Sequence, residues 1–183
     1  STSDGEIIAG GSFESNSIEL ENGVSISKKG SRDGMIIKYS SSGECEWAKG
    51  IGGRGSDYIY AVAETSDGGI IAGGYFRSSS IDLENGVSIT NKGNTDVMII
   101  KYSAEGECEW VKGIGSTYYD EIKSVTETSD GGIIAGGSFS SSSIDLGNGV
   151  VLTNNGGTSY GISHSDGMII KYNAEGEIEW AKG

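Results

Sequence analysis

The chain has 183 residues, with 32 glycines, no proline and a net charge of −13. Phosphate backbones and anionic membrane surfaces recruit clustered Lys and Arg, so neither nucleic acid nor an acidic membrane is an expected partner. No apolar run approaches the roughly 18 residues of a membrane-crossing helix, so no membrane insertion is expected. Acidity of this degree suits solubility, divalent-cation association or cationic partners.

Ser3-Asp4-Gly5 recurs as Ser66-Asp67-Gly68 and Ser129-Asp130-Gly131, at a step of 63 residues. Trp47, Trp110 and Trp180 each lie in a Glu-x-Glu-Trp-x-Lys-Gly phrase. A fixed period of this kind predicts a repeat architecture in which each unit buries its apolar faces against its neighbours. The chain divides into repeats 1–50, 51–113 and 114–183, read as one repeat domain. Residues identical in every copy are expected to be scaffold, and function is expected where the copies differ or on surfaces they build together. The first repeat opens in mid-unit, so a longer parent protein or a removed leader is expected upstream.

In chain order, repeat 1 follows repeat 2 closely from Thr2 to Gly50 but lacks its first strand. The second repeat is complete. Asp57 to Glu64 is β-branched and aromatic and predicts a strand. Ser66-Asp67-Gly68-Gly69 is turn chemistry, and one Asp per loop is too few oxygens for calcium. Ile70 to Phe76 predicts a second strand, whose paired glycines imply a bulge or the close approach of another backbone. Ile81 to Leu83 and Val87 to Thr90 flank Glu84-Asn85-Gly86 and predict a small hairpin.

Val97 to Tyr102 predicts a third main strand and Glu107 to Lys112 a fourth. Strict alternation in the fourth puts Cys108 and Trp110 on one face and both glutamates on the other. No helical stripe of useful length occurs. The third repeat adds seven residues around Gly157 to Ser163. Each unit therefore holds four main strands and an extra hairpin. Two of these strands are apolar on both faces, as suits sheets packed between neighbours.

The run Trp47-Ala48-Lys49-Gly50-Ile51-Gly52-Gly53, then Asp57-Tyr58, Ala61-Val62-Ala63, Asp67-Gly68 and Ile71-Ala72-Gly73-Gly74-Tyr75, resembles the bacterial β-propeller repeats of the SBBP type. The resemblance continues through Asp96, Met98-Ile99-Ile100-Lys101-Tyr102, Glu105-Gly106 and Trp110, and spans essentially the whole chain. It implies an all-β fold of three propeller-type blades, each of about four antiparallel strands. It also implies a bacterial secreted or cell-surface location, and it carries over no catalytic residues. Propellers close with roughly four to eight blades, so three repeats predict a piece of a longer propeller or a homo-oligomer. A three-fold β-prism or β-trefoil-like closure is the alternative architecture.

Chemistry-bearing residues are sparse. His164 sits beside Ser163, Ser165 and Asp166, but three loop neighbours do not make a Ser–His–Asp triad, and an exposed loop histidine is the expectation. Gly10-Gly11 and its copies lack the Lys-Ser/Thr and the helix of a phosphate loop. Cys45 and Cys108 occupy one repeat position, filled by Ile178 in the third copy, and read as reduced, buried thiols. The three tryptophans read as packing between units, each indole N–H bonded to a neighbour.

Asp33, Asp96 and Asp166 precede equivalent strands, either as strand caps or as part of a ligand surface. Tyr58, Tyr60, Tyr118, Tyr119 and Tyr160 vary between copies near loop ends, a composition that suits protein or carbohydrate recognition. Asp33, Asp96, Asp166, Tyr58, Tyr60, Tyr118 and Tyr119 are therefore the candidate ligand-binding residues. No catalytic residue, metal site or cofactor is expected. The expected function is a non-enzymatic binding module, with a self-associating structural repeat as the alternative.

Overall fold

The computed structural model describes residues 5–156, 158–159 and 162–183. Tyr160 and part of the third-repeat insertion lie outside the described residues. The protein is all-β, with no α-helix among the described residues. The first repeat contributes β1 (Ile7–Phe13), β2 (Ser17–Glu19), β3 (Ser25–Ser27), β4 (Asp33–Tyr39) and β5 (Cys45–Ile51). The second contributes β6 (Asp57–Glu64), β7 (Ile70–Phe76), β8 (Ser80–Asp82), β9 (Ser88–Thr90), β10 (Asp96–Tyr102) and β11 (Cys108–Ile114). The third contributes β12 (Asp120–Glu127), β13 (Ile133–Phe139), β14 (Ser143–Gly147), β15 (Val150–Thr153), β16 (Thr158–Ser159), β17 (Ile162–Ser163), β18 (Asp166–Tyr172) and β19 (Ile178–Lys182).

Each repeat forms its own antiparallel sheet. The orders are β1-β4-β5, then β6-β7-β10-β11, then β12-β13-β18-β19, and the pairs β2-β3, β8-β9 and β14-β15 stand apart as hairpins. The strands and the extra hairpin thus follow the sequence pattern closely. Among the described residues the first sheet has three strands, with no counterpart of β6 or β12.

Two cores separate the three sheets. Ile36 and Ile51 of the first sheet join Ile70, Ala72, Phe76, Met98 and Ile100 of the second. Ile71, Val97 and Ile99, pointing the other way from the second sheet, join Ile133, Ala135, Met168 and Ile170 of the third. The middle sheet is buried on both faces, which explains the unbroken apolar runs in β7 and β10.

The glycine pairs of β1 and β7 make this packing possible. A methyl group on Gly73 would lie 2.7 Å from Ile122 and Val125 of the third sheet. One on Gly10 would lie 2.5 Å from Val62 of the second. The equivalent Gly136 has nothing within 4 Å, because no further sheet covers that face among the described residues.

The glutamate-rich phrase has a structural reason that alternation conceals. Trp110 pairs with Lys101 while Cys108 pairs with the adjacent Tyr102, leaving Glu109 as the extra residue of a β-bulge. The same shift recurs at Glu46 and Glu179. It corrects the expected shared face: Trp110 packs into the core toward the third sheet and Cys108 into the core toward the first. Both cysteines are free, Cys45 buried and Cys108 half-buried.

Each bulge glutamate pairs with a lysine of the neighbouring strand: Lys101 with Glu109 at 3.1 Å and Lys171 with Glu179 at 2.9 Å. Lys101 also reaches Asp67 at 2.9 Å and so ties the turn to the sheet. Burial opposes ionisation of Asp67, but Thr65, Lys101 and the Gly69 N–H outweigh it and hold its carboxyl at about 2.

The tryptophans link one sheet to the next. The Trp47 indole N–H donates to the Ala104 carbonyl at 3.0 Å, and that of Trp110 donates to the Ala174 carbonyl at 3.0 Å. Trp180 has no such neighbour among the described residues and is 39% exposed. Trp47→Phe is therefore expected to cost about 1–2 kcal/mol through a lost hydrogen bond and lost contact area. Trp180→Phe should stay within about 0.5 kcal/mol, and denaturant unfolding of the two variants checks the contrast.

Candidate functional site

The first strands of the second and third sheets carry a second kind of bulge. In β6 the register shifts between Ile59 and Ala61, and in β12 between Ile122 and Ser124, so Tyr60 and Lys123 are the extra residues. A bulge re-aims its side chain, and these two meet: the Lys123 ammonium sits 3.7 Å over the Tyr60 ring. Lys123 also pairs with Glu121 at 2.9 Å. Burial lowers its pKa, but the Glu121 carboxylate more than reverses this, so the cation is reinforced.

Around Tyr60 the rings gather. Tyr58 stacks on Tyr75 with centroids 4.8 Å apart, and Tyr60 lies 6.0 Å from Tyr58 and 5.5 Å from Tyr75. Tyr75 is 7% exposed, and burial pushes its hydroxyl well above the usual phenol range. Arg32 lies 4.9 Å over Tyr58, donates to its hydroxyl and pairs with Glu14. Arg77 is shared between Tyr75 and Tyr119, 5.5 Å from each ring. Its Nε donates to Thr95 at 3.0 Å, and no carboxylate pairs with it among the described residues.

The result is one continuous arrangement, Arg32–Tyr58–Tyr75–Arg77–Tyr119, with Tyr60 and Lys123 beside it. Tyr119 and Tyr118 are each half-exposed, Tyr60 is 43% exposed, and Arg77 is exposed. On a chain of net charge −13, three cations have been drawn to one aromatic surface. Such a surface offers ring faces for stacking and a guanidinium for carboxylate or sulfate oxygens.

Of the expected ligand residues, Tyr58, Tyr60 and Tyr119 come together here, and Tyr118 adjoins them in sequence. Asp33, Asp96 and Asp166 make none of these ring or cation contacts, and each accepts backbone N–H groups of its own preceding loop. Asp33 accepts the Lys29 and Gly30 N–H groups at 2.7 and 3.2 Å, Asp96 the Lys92 N–H at 2.6 Å, and Asp166 the Asn155 N–H at 2.5 Å. Asp33 and Asp96 are fully buried. Burial raises the Asp96 carboxyl above its usual range. His164 is exposed.

Tyr75, Arg32, Arg77 and Lys123 escaped the sequence reading. The available signal was variation between copies: Ser12 and Ser138 stand at the Tyr75 position, Glu14 and Ser140 at the Arg77 position, and Thr95 and Ser165 at the Arg32 position. Two grooves of the molecule are lined by residues other than these tyrosines. One is bounded by Ile26, Lys49, Leu83, Glu84 and Tyr102, and another by Lys29, Arg54, Ser80 and Asp82.

The fold and this surface define a class, an all-β protein of serially packed repeat sheets with an aromatic–cationic surface built from copy-variable positions. Comparison with protein-family models finds no match, and comparison with curated proteins finds none either.

Proposed function

We propose that the chain is a non-enzymatic binding module of propeller type whose tyrosine–arginine surface recognises a protein or a glycan. The observation that carries this reading is the convergence of Tyr58, Tyr60, Tyr75, Tyr119, Arg32, Arg77 and Lys123, all at positions where the copies present in the sequence differ. Scaffold positions repeat in every copy, and these do not. Exposed aromatic rings beside a guanidinium that no carboxylate pairs with among the described residues are the composition of binding hot spots. The resemblance to secreted bacterial propeller repeats favours an extracellular or cell-surface setting.

The test is a glycan array, acidic saccharides included, run beside cell-surface protein capture, with wild type and the Arg77→Ala/Tyr119→Ala double variant. A ligand should be retained by the wild type and weakened about 30-fold or more in the variant, at an unchanged melting temperature. Binding indifferent to the double substitution, or robust turnover in a hydrolase substrate screen, refutes the reading.

A second reading, a structural repeat that self-associates, is favoured by one observation. The outward face of the third sheet carries Ile169 and Trp180, each 39% exposed, where the other sheets are covered. Light scattering across concentrations tests it: growth of the particle with concentration supports assembly, and a constant monomer mass opposes it.

A further inference from the structure

The groove bounded by Lys49, Leu83, Glu84 and Tyr102 has a counterpart one repeat further on. It is lined by Lys112 of β11, Leu146 and Gly147 at the end of β14, Tyr172 of β18 and Ile178 of β19. We propose that this second groove is a binding site for a small organic carboxylate. The charged end of the ligand meets the Lys112 ammonium and the Tyr172 hydroxyl, and its apolar body lies along Leu146 and Ile178. The proposal rests on this groove alone and is independent of the tyrosine–arginine surface.

The first groove holds a carboxylate that the chain itself supplies. Glu84 takes the Lys49 ammonium at 2.6 Å. Its charge also reaches Tyr102: burial pushes that hydroxyl well above the usual phenol range, and Cys108 and Glu84 add to the rise. Lys49, Leu83, Glu84 and Tyr102 correspond in the repeat to Lys112, Leu146, Gly147 and Tyr172. The cation, the leucine and the tyrosine are kept, and the carboxylate is replaced by a glycine.

Lys112 therefore lacks the counter-ion that Lys49 has. It lies 5.8 Å from the centre of the Trp110 ring, and no carboxylate pairs with it among the described residues. On a chain of net charge −13, such an ammonium is free to make a charge-assisted bond to a ligand anion. The Tyr172 hydroxyl is buried and has no hydrogen-bond partner. A buried hydroxyl in that state costs about 1–3 kcal/mol, which a ligand oxygen would relieve. A methyl group on Gly147 would meet nothing within 4 Å, so the space beside it is open.

The nearby acidic groups are engaged by other donors. Glu177 also lines the groove, where its carboxylate accepts from Asn173 Nδ2 at 3.2 Å. Asp145 accepts the Gly147 N–H at 2.9 Å. The cavity measures about 330 Å³, near the lower end of the roughly 300–1,000 Å³ of small-molecule sites. That size, with aliphatic walls and one cation, fits a carboxylate carrying a short apolar body.

The probe is hexanoate, with hexylamine as the charge-reversed control, titrated into the 183-residue chain and followed by amide NMR shifts. Hexanoate should shift the amides of Lys112, Asn148 and Ile178 with a dissociation constant of about 1–10 mM, and hexylamine should leave them in place. Tyr172→Phe removes only the unpartnered hydroxyl. It should weaken hexanoate binding by about 5-fold or more while the melting temperature holds or rises, a pair of results that a purely structural tyrosine would not give. Lys112→Gln should weaken binding by about 10-fold or more.

Glu84→Ala provides the converse. It uncovers Lys49 and Tyr102 and should create a second hexanoate site, seen as new shifts at Lys49 and Leu83. The inference is overturned if hexanoate at about 50 mM, several times the expected dissociation constant, shifts no amide of the second groove. It is also overturned if hexylamine binds there equally well, or if Tyr172→Phe and Lys112→Gln both leave the affinity unchanged. A Glu84→Ala variant that gains no site would show that these grooves do not recognise a carboxylate, with the same consequence.

Discussion

Asp57→Ala is expected to lower stability by about 4 kcal/mol, because one fully buried carboxylate organises three segments of backbone. Its oxygens accept the Gly53 N–H at 3.0 Å, the Arg77 and Ser78 N–H groups and the Ser78 hydroxyl. Truncation removes charge-assisted bonds of about 1.5–3 kcal/mol each, and partial re-solvation of the loops returns some of that. For a chain of this size the melting temperature should fall by about 8–16 °C. Asp33→Ala, which frees only the Lys29 and Gly30 N–H groups, should cost about half as much. A melting temperature for Asp57→Ala within about 3 °C of wild type would show that the carboxylate does not hold this junction.

Gly74→Ala is the second large effect, expected at about 3 kcal/mol or more. The new methyl group would sit 1.9 Å from a backbone carbonyl oxygen in β6, and neither atom is the free end of a side chain. Relief requires β6 to move away from β7, which breaks the register that the Tyr60 bulge sets. Gly137→Ala meets the same obstacle at the Glu121 carbonyl. Gly11→Ala and Gly136→Ala occupy related positions without it and should change stability by less than about 1 kcal/mol, since alanine is no worse than glycine in a strand. Thermal melts of the four variants give the comparison directly. Equal losses at all four positions would mean that intrinsic strand preference, and not the approach of a first strand, explains the glycines.

How much of this was legible in the sequence depends on the range of the cause. Asp57 to Glu64 and Ile70 to Phe76 were read at the boundaries the strands have, because β-branched content and flanking turn residues are local signals. The bulges at Tyr60 and Glu109 were not read. An inserted residue leaves the composition of a strand unchanged and alters only which partner each residue faces. For that reason Cys108 and Trp110 were expected on one face and lie on two.

The candidate site divides along the same line. Tyr58, Tyr60 and Tyr119 stood out because the copies differ there. Arg32, Arg77 and Lys123 carry the positive charge of the same surface but lie in three different repeats or loops, and nothing local marks a surface cation as convergent with a ring. Asp33, Asp96 and Asp166 attracted attention by recurring, and each proves to close its own loop. The more heavily bonded Asp57 recurs as Asp120 and was read only as the first residue of a strand.

The sequence by itself determined the three units, their strands, their turns and their apolar positions, since period, alternation and turn chemistry act over a few residues. Only the tertiary structure decided which faces are covered, which tryptophan lacks a neighbour, which glycine lies under a carbonyl and which cations meet the tyrosines. Those outcomes depend on the sheet next door. Gly11, Gly74 and Gly137 share one sequence context, and two of them are packed against a backbone carbonyl while Gly11 meets only the Met35 side chain among the described residues.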